Sequence, residues 1–139
     1  MTQDRISDVT DLFIAAFNAP PWNDTWTRET AELRLKQQLS SPYDYGLICE
    51  IDGDIVGMVI GHEEQYCDEI HFTIREFCTR VDLRGQGIGK KIIRELDYLL
   101  KERGVHKVFL ATIPSEGTVG VYQKLGFEIN DMVMMEKRL

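Results

Sequence analysis

Arg84-Gly85-Gln86-Gly87-Ile88-Gly89-Lys90 is the segment of this chain best suited to chemistry. Three glycines alternate with other residues, and Arg84, Lys90 and Lys91 bring positive charge. A strand running into such a turn and out into a helix binds phosphate for a simple reason. Backbone N–H groups at a helix start have no acceptor of their own, and the helix dipole adds partial positive charge. Glycine lets the backbone approach an anion without a side chain in the way. The alternative is a plain tight turn.

The spacing narrows the choice of anion. A P-loop needs Gly, four residues, then Gly-Lys and Ser or Thr. Here Arg84 stands where the first glycine belongs, and Lys91 follows Gly89-Lys90. The dinucleotide pattern G-x-G-x-x-G, begun at Gly85, meets Lys90 in place of its last glycine.

Arg84, Gly87 and Gly89 fill every fixed place of a third pattern, Arg or Gln, two residues, Gly, one residue, Gly or Ala. The segment resembles the glycine turn of the GNAT acetyltransferases. Tyr122-Gln123-Lys124-Leu125-Gly126-Phe127, downstream, is similar to that family's Tyr-x-Lys-x-Gly-Phe segment. With the order of elements, the resemblance covers nearly all of the chain. It implies acetyl-coenzyme A as cosubstrate, with no metal. It assigns pyrophosphate contacts to the backbone of Arg84, Gly85, Gln86, Gly87, Ile88, Gly89 and Lys90. It assigns main-chain pairing with pantetheine to Phe77, Cys78 and Thr79. Ser115 stands where the family often has a pantetheine-binding Asn, and few residues precede Asp8, where relatives usually carry a first strand.

Acetyl transfer to an amine requires a neutral amine, stabilisation of the carbonyl oxygen, and a proton for the departing thiolate. The resemblance makes Tyr122 the general acid. Its other reading is an aromatic packed between helix and sheet. For the base, Glu76 lies on the strand feeding the glycine turn; otherwise it partners Arg75 or Arg80. Family bases also occur earlier on this strand, where Thr73, His71 and Glu69 stand. Strand alternation puts Glu76 and Cys78 on one face and Thr73, Arg75 and Phe77 on the other, so only one set faces the acceptor. Cys78 reads as a small buried hydrophobe rather than a nucleophile. The acceptor site is expected in the first half. Trp22, Asp24 and Trp26, in a turn between helices, can hold a cation by stacking and charge, or plug the helix pair. His62, Glu63 and Glu64 follow a hairpin and are further candidates for the same cleft.

The elements that position these residues follow from periodicity. Apolar residues at Val9, Leu12, Phe13, Ala16 and Phe17 predict a helix over 8–18, ended by Pro20-Pro21. Thr27 predicts an N-cap for a helix to about Leu39. Tyr45–Ile51 and Ile55–Gly61 read as a hairpin about Asp52-Gly53-Asp54, and Glu69–Val81 as a longer strand. A helix with Ile88, Ile92, Leu96, Leu99 and Leu100 on one face ends before Gly104. A short strand over Val108–Thr112, a helical turn or two over Val119–Leu125, and a last strand or hairpin over Phe127–Met135 complete the order ααβββαβαβ. The expected fold is α/β (α+β): one GNAT-like domain over 1–139, a central mixed twisted sheet flanked by helices. The strand–helix–strand unit of the second half predicts parallel neighbours.

Composition sets outer bounds. The chain has 139 residues, 43% hydrophobic and 28% charged, as in ordinary globular proteins. No apolar run predicts a membrane span and no N-terminal signal peptide is read, so the expected compartment is the cytoplasm. Cys49, Cys67 and Cys78 are odd in number and suggest reduced thiols. The net charge of −7 divides unevenly: residues 1–69 carry 14 acids and 4 bases, residues 70–139 carry 9 acids and 12 bases. One reading is solvated surface; the other is anion binding in the second half and a cationic partner facing the first. An acidic chain without a basic cluster argues against nucleic acid. Three functions follow: acetylation of a small cationic amine such as an aminoglycoside or polyamine, acetylation of a protein N-terminus or lysine, or an inactive acetyl-coenzyme A sensor. Many relatives of the family dimerise, which leaves a homodimer open.

Overall fold

Thr27 begins the second helix as its residue type predicts. Its hydroxyl accepts from the backbone N–H of Thr30, while Thr30 Oγ1 accepts from the N–H of Thr27, closing a capping box. The computed structural model describes all 139 residues. Its helices are α1 (Ile6–Asn18), α2 (Arg28–Gln38), α3 (Ile88–Glu102) and α4 (Glu116–Lys124), and its strands β1 (Asp44–Ile51), β2 (Asp54–Tyr66), β3 (Glu69–Thr79) and β4 (Lys107–Phe109). Short 3-10 turns at Gln3–Arg5 and Val81–Leu83 precede α1 and follow β3. No strand precedes α1; the terminal ammonium of Met1 instead donates to the carbonyl of Gly46 at 2.8 Å. No helix is long and apolar enough to cross a membrane.

The four strands form one sheet in chain order, with β1–β2 and β2–β3 antiparallel and β3–β4 parallel. Parallel pairing requires the crossover through α3. The apolar faces of α1 and α2 cover one side through Val9, Phe13, Ala31 and Leu35 against Met58, Ile60 and Cys78. On the other side Ile88, Ile92, Ile93, Leu96 and Leu100 of α3 pack on Val59, Phe72 and Ile74. Full burial of each such side chain contributes about 1.5–3 kcal/mol. Leu99, expected on the buried face of α3, is half-exposed, and Ile93 takes its place. Gly104, at φ +80°, follows the helix as a glycine C′ residue does.

Three expected strand boundaries need correcting. β2 runs on through His62, Glu63 and Glu64 to Tyr66, because these charged residues pair with Thr73, Phe72 and His71 across the ladder. β4 ends at Phe109 rather than Thr112, because β3 offers it partners only over His71, Phe72 and Thr73. No strand forms over Phe127–Met135, so the order is ααβββαβα. An alternating segment is stable as a strand only against a neighbour, and this one has none: Ile129 and Met132 remain 77% and 80% exposed.

A β-bulge decides the geometry of the site. Ile60 of β2 faces Glu76 and Gly61 faces Ile74, which leaves Arg75 as the extra residue. Ile74 therefore packs on the α3 side, whereas Glu76, only two residues on, reaches α2. This overturns the simple alternation: Thr73, opposite His62, lies on the face of Glu76 and Cys78, not on that of Phe77.

Candidate active site

β3 and β4 part at Thr73 and Phe109. Beyond that point β3 is bonded to β2 on one side only, and a cleft of ≈ 210 Å³ opens beside it. Tyr122 of α4, Glu76 and Phe77 of β3, Leu110 and Ala111 after β4, and Trp22, Asp24 and Trp26 from the α1–α2 connection all line it. Residues far apart in sequence thus converge on one cleft. The structure also brings in Arg34 and Arg75.

At the end of β3 lies the glycine turn. Gly85 and Gly87 hold φ of +81° and +83°, and a Cβ on either would meet nothing within 4 Å, so the turn faces open space. Gly87 is the N-cap of α3 and has no side-chain cap. The first α3 amide bond of the turn runs from Lys91 N–H to the Gly87 carbonyl. The N–H groups of Gly87, Ile88, Gly89 and Lys90 donate to no protein atom. Free donors at a positive helix end, with no Cβ above them, fit a pyrophosphate. The outer edge of β3 over Phe77, Cys78 and Thr79 has no strand beside it, so its main chain is open to an extended ligand. The Arg84 side chain turns away from the turn: Nη1 donates to the Pro20 carbonyl at 3.1 Å and Nη2 to the Ala16 carbonyl at 3.5 Å. It ties the end of α1 to the glycine turn.

Tyr122 packs against Phe77 and Phe127, with ring centroids 6.1 and 5.9 Å away. Tyr122 lines the cleft, its hydroxyl has no protein partner, and burial pushes its pKa up, so it retains its proton. Glu76 is 5% exposed. Its Oε1 accepts from Arg34 Nε and, at 2.8 Å, from Gln38 Nε2, while Oε2 has no protein partner. Burial raises the Glu76 pKa, with the Arg34 charge and the Gln38 bond opposing. Arg34 and Gln38 stand one turn apart on α2. That spacing, beside the buried Leu35, is the sequence signal by which both could have been found. Cys78 is buried, and desolvation followed by the Glu76 charge raises its thiol far above the usual range. A thiol held protonated is a poor nucleophile.

The remaining candidates divide. Trp26 stacks edge-on to Phe13 at 5.1 Å, donates Nε1 to Asp24 at 3.0 Å and already carries Arg34 over its ring at 5.5 Å. Trp22 packs on Phe17 at 6.0 Å. Both tryptophans thus combine the plug and the wall of the cleft. Ser115 is the N-cap of α4; its hydroxyl meets Thr118 Oγ1 at 2.9 Å, and it does not line the cleft. His62 Nδ1 lies 2.5 Å from Asp44, and Glu63 binds Tyr45 and Arg103, so neither reaches the cleft. The acids of the first half do not gather there either. Asp8, Asp11, Glu50 and Asp54 border a separate, open groove between α1 and the β1–β2 turn.

Comparison with known proteins places this geometry among relatives. Residues 7–127 match the model of the acetyltransferase (GNAT) family. An acetyltransferase of Pectobacterium atrosepticum is 29% identical over 138 residues, covering 99% of this chain and 91% of that protein. The fold is similar to that of a ribosomal-protein-alanine N-acetyltransferase from Brucella melitensis, with TM-score 0.77 and 20% identity over 100% of this chain and 96% of that one. It is also similar to an aminoglycoside acetyltransferase from an uncultured soil sample, solved with sisomicin, with TM-score 0.76 and 17% identity over 100% and 92% of the two chains.

Proposed function

Because this chain belongs to the GNAT family of acetyl-CoA-dependent N-acetyltransferases, we propose that it acetylates the primary amine of a small molecule by direct transfer, within one domain spanning residues 1–139. Bound acetyl-coenzyme A supplies the electrophilic thioester. The glycine turn over Arg84–Lys90 would hold its pyrophosphate on the free N–H groups of α3, and the main chain of Phe77, Cys78 and Thr79 would bind the pantetheine. Ser115 stands at the mouth of α4, where the family pattern expects a pantetheine contact.

Glu76 takes a proton from the incoming ammonium, directly or through water, and the freed nitrogen lone pair forms the N–C bond. The C–S bond breaks with its electron pair on sulfur, the Tyr122 phenol donates the proton that the thiolate needs, and the surplus proton left on the acetylated nitrogen returns to the Tyr122 oxygen to restore the phenol. The high thiol pKa of Cys78 supports direct transfer over a cysteine-linked intermediate. Trp22, Asp24 and Trp26 wall the acceptor side. The observation that carries this reading is the convergence of Tyr122 and Glu76 on one cleft at the open edge of β3.

A small acceptor is favoured over a protein chain by the ≈ 210 Å³ volume. The aminoglycoside acetyltransferase among the structural relatives is compatible with such an acceptor. The test is thiol release from acetyl-coenzyme A across amino acids, polyamines, aminoglycosides and short peptides. Release with a small amine supports the proposal. Release with peptides alone points to protein acetylation. Tight coenzyme A binding without release from any amine points to a sensor.

A further inference from the structure

The cleft beside Tyr122 does not have the charge that the acidic first half of the sequence suggests. Each of its two carboxylates is partly neutralised by the protein through one oxygen: Asp24 Oδ2 accepts from Trp26 Nε1, and Glu76 Oε1 from Arg34 and Gln38. Its cations keep donors to spare. Arg75 gives Nη1 to Asp44 Oδ1 at 3.3 Å and leaves Nε and Nη2 without a protein partner. Arg34 gives Nε to Glu76 and leaves both terminal nitrogens free.

Arg75 owes its place to the bulge. As the extra residue between Ile74 and Glu76, it is turned out of the ladder to the cleft rim, where its side chain is 36% exposed. Its anchor is rigid. The Asp44 side chain is 2% exposed, accepts from the Ser41 N–H at 2.9 Å and lies 2.5 Å from His62 Nδ1. A guanidinium pinned at one corner presents a planar donor edge of the shape that binds a carboxylate. A polycation would meet two arginines here, and the carboxylates facing them, Asp24 and Glu76, each already accept from a protein donor through one oxygen. The volume also falls below the ~300–1,000 Å³ of pockets for drug-sized ligands.

We infer that the acceptor is a small amine that also bears a carboxylate, an amino-acid-like zwitterion, and that Arg75 is the specificity-determining residue that binds the carboxylate while the amine faces Glu76 and Tyr122. The inference rests on the acetyl-transfer reading above and names the substrate class of that same site.

The test compares free amino acids with their carboxamides, in which only the carboxylate charge is lost, and with spermidine. The free acids are expected to exceed the carboxamides in kcat/KM by about 10–100-fold, the range of a hydrogen bond to a charged group. In Arg75→Gln that ratio is expected to fall close to unity through KM for the acid, and Arg75→Lys is expected to restore part of it. The KM for acetyl-coenzyme A monitors the integrity of each variant. Preference for spermidine or the carboxamides, or an unchanged ratio in Arg75→Gln, overturns the inference while leaving acetyl transfer in place. Absence of thiol release with every amine overturns both.

Discussion

Gln38 on α2 donates its side-chain amide to Glu76 on β3 at 2.8 Å, on the same carboxylate oxygen that Arg34 binds. Both restraints fall on Oε1, so the carboxylate is oriented and Oε2 is left for chemistry. Burial raises the Glu76 pKa, while the Arg34 charge and the Gln38 bond pull it down. A base acts only when ionised. The acid limb of kcat/KM is therefore expected above the ordinary glutamate value of about 4.3. Arg34→Gln removes the largest opposing influence and is expected to move the limb to higher pH. Glu76→Gln is expected to abolish it and lower kcat/KM by about 10²–10⁴-fold. For stability the sign is set by the folded state holding this proton more tightly than the unfolded chain. The Glu76 contribution is largest below the unfolded pKa and is lost as pH rises through the raised folded value. Denaturant titrations of wild type and Glu76→Gln across that window check it.

Tyr122→Phe isolates the phenol, since the ring contacts to Phe77 and Phe127 remain. The hydroxyl has no protein partner to lose. Turnover is expected to fall by about 10²–10⁴-fold with little change in Tm. Unchanged turnover would remove Tyr122 as the acid.

Gly87 and Gly104 share nearly the same left-handed backbone, at φ +83° and +80°, and a Cβ on either meets nothing within 4 Å. Alanine at either position is expected to cost about 1–2 kcal/mol in backbone strain. Only Gly87→Ala puts a methyl over the free N–H groups of α3. Both variants are expected to melt earlier by similar amounts, with KM for acetyl-coenzyme A raised in Gly87→Ala alone.

Arg84 links the glycine turn to the end of α1 and the α1–α2 connection through the Ala16 and Pro20 carbonyls. Arg84→Ala leaves the backbone donors of the turn intact but releases the connection that carries Trp22. Initial rates are expected to show a larger rise in KM for the amine than for acetyl-coenzyme A. The opposite order would assign the side chain to the cofactor.

Leu35 is fully buried between α1, α2 and the sheet. Leu35→Ala is expected to lower the unfolding free energy by about 2–5 kcal/mol, from lost transfer energy and the cavity left behind. Chemical denaturation reads this directly.

The sequence by itself determined the features that depend on neighbours along the chain. The Thr27 cap, the Asp52-Gly53 turn, the glycine turn before α3 and the apolar stripes of α1 and α3 each arise from residue type and short spacing. The glycine turn and the Tyr122 segment were enough to predict the family and cosubstrate. The features that only the tertiary structure decided depend on what lies across a gap. His62, Glu63 and Glu64 look like a charged loop, yet they belong to β2 because β3 pairs with them. Phe127–Met135 alternates like a strand, yet it has no neighbour to bond. The bulge at Arg75 reverses which side chains share a face, and no local pattern encodes it, because the extra residue exists only relative to the partner strand. Arg75 was invisible as a site residue for the same reason, and Arg34 and Gln38 carried only their one-turn spacing on α2 as a signal. A side chain's spacing fixes the face of its own element, but packing between elements decides which cleft that face lines and which carboxylate it holds.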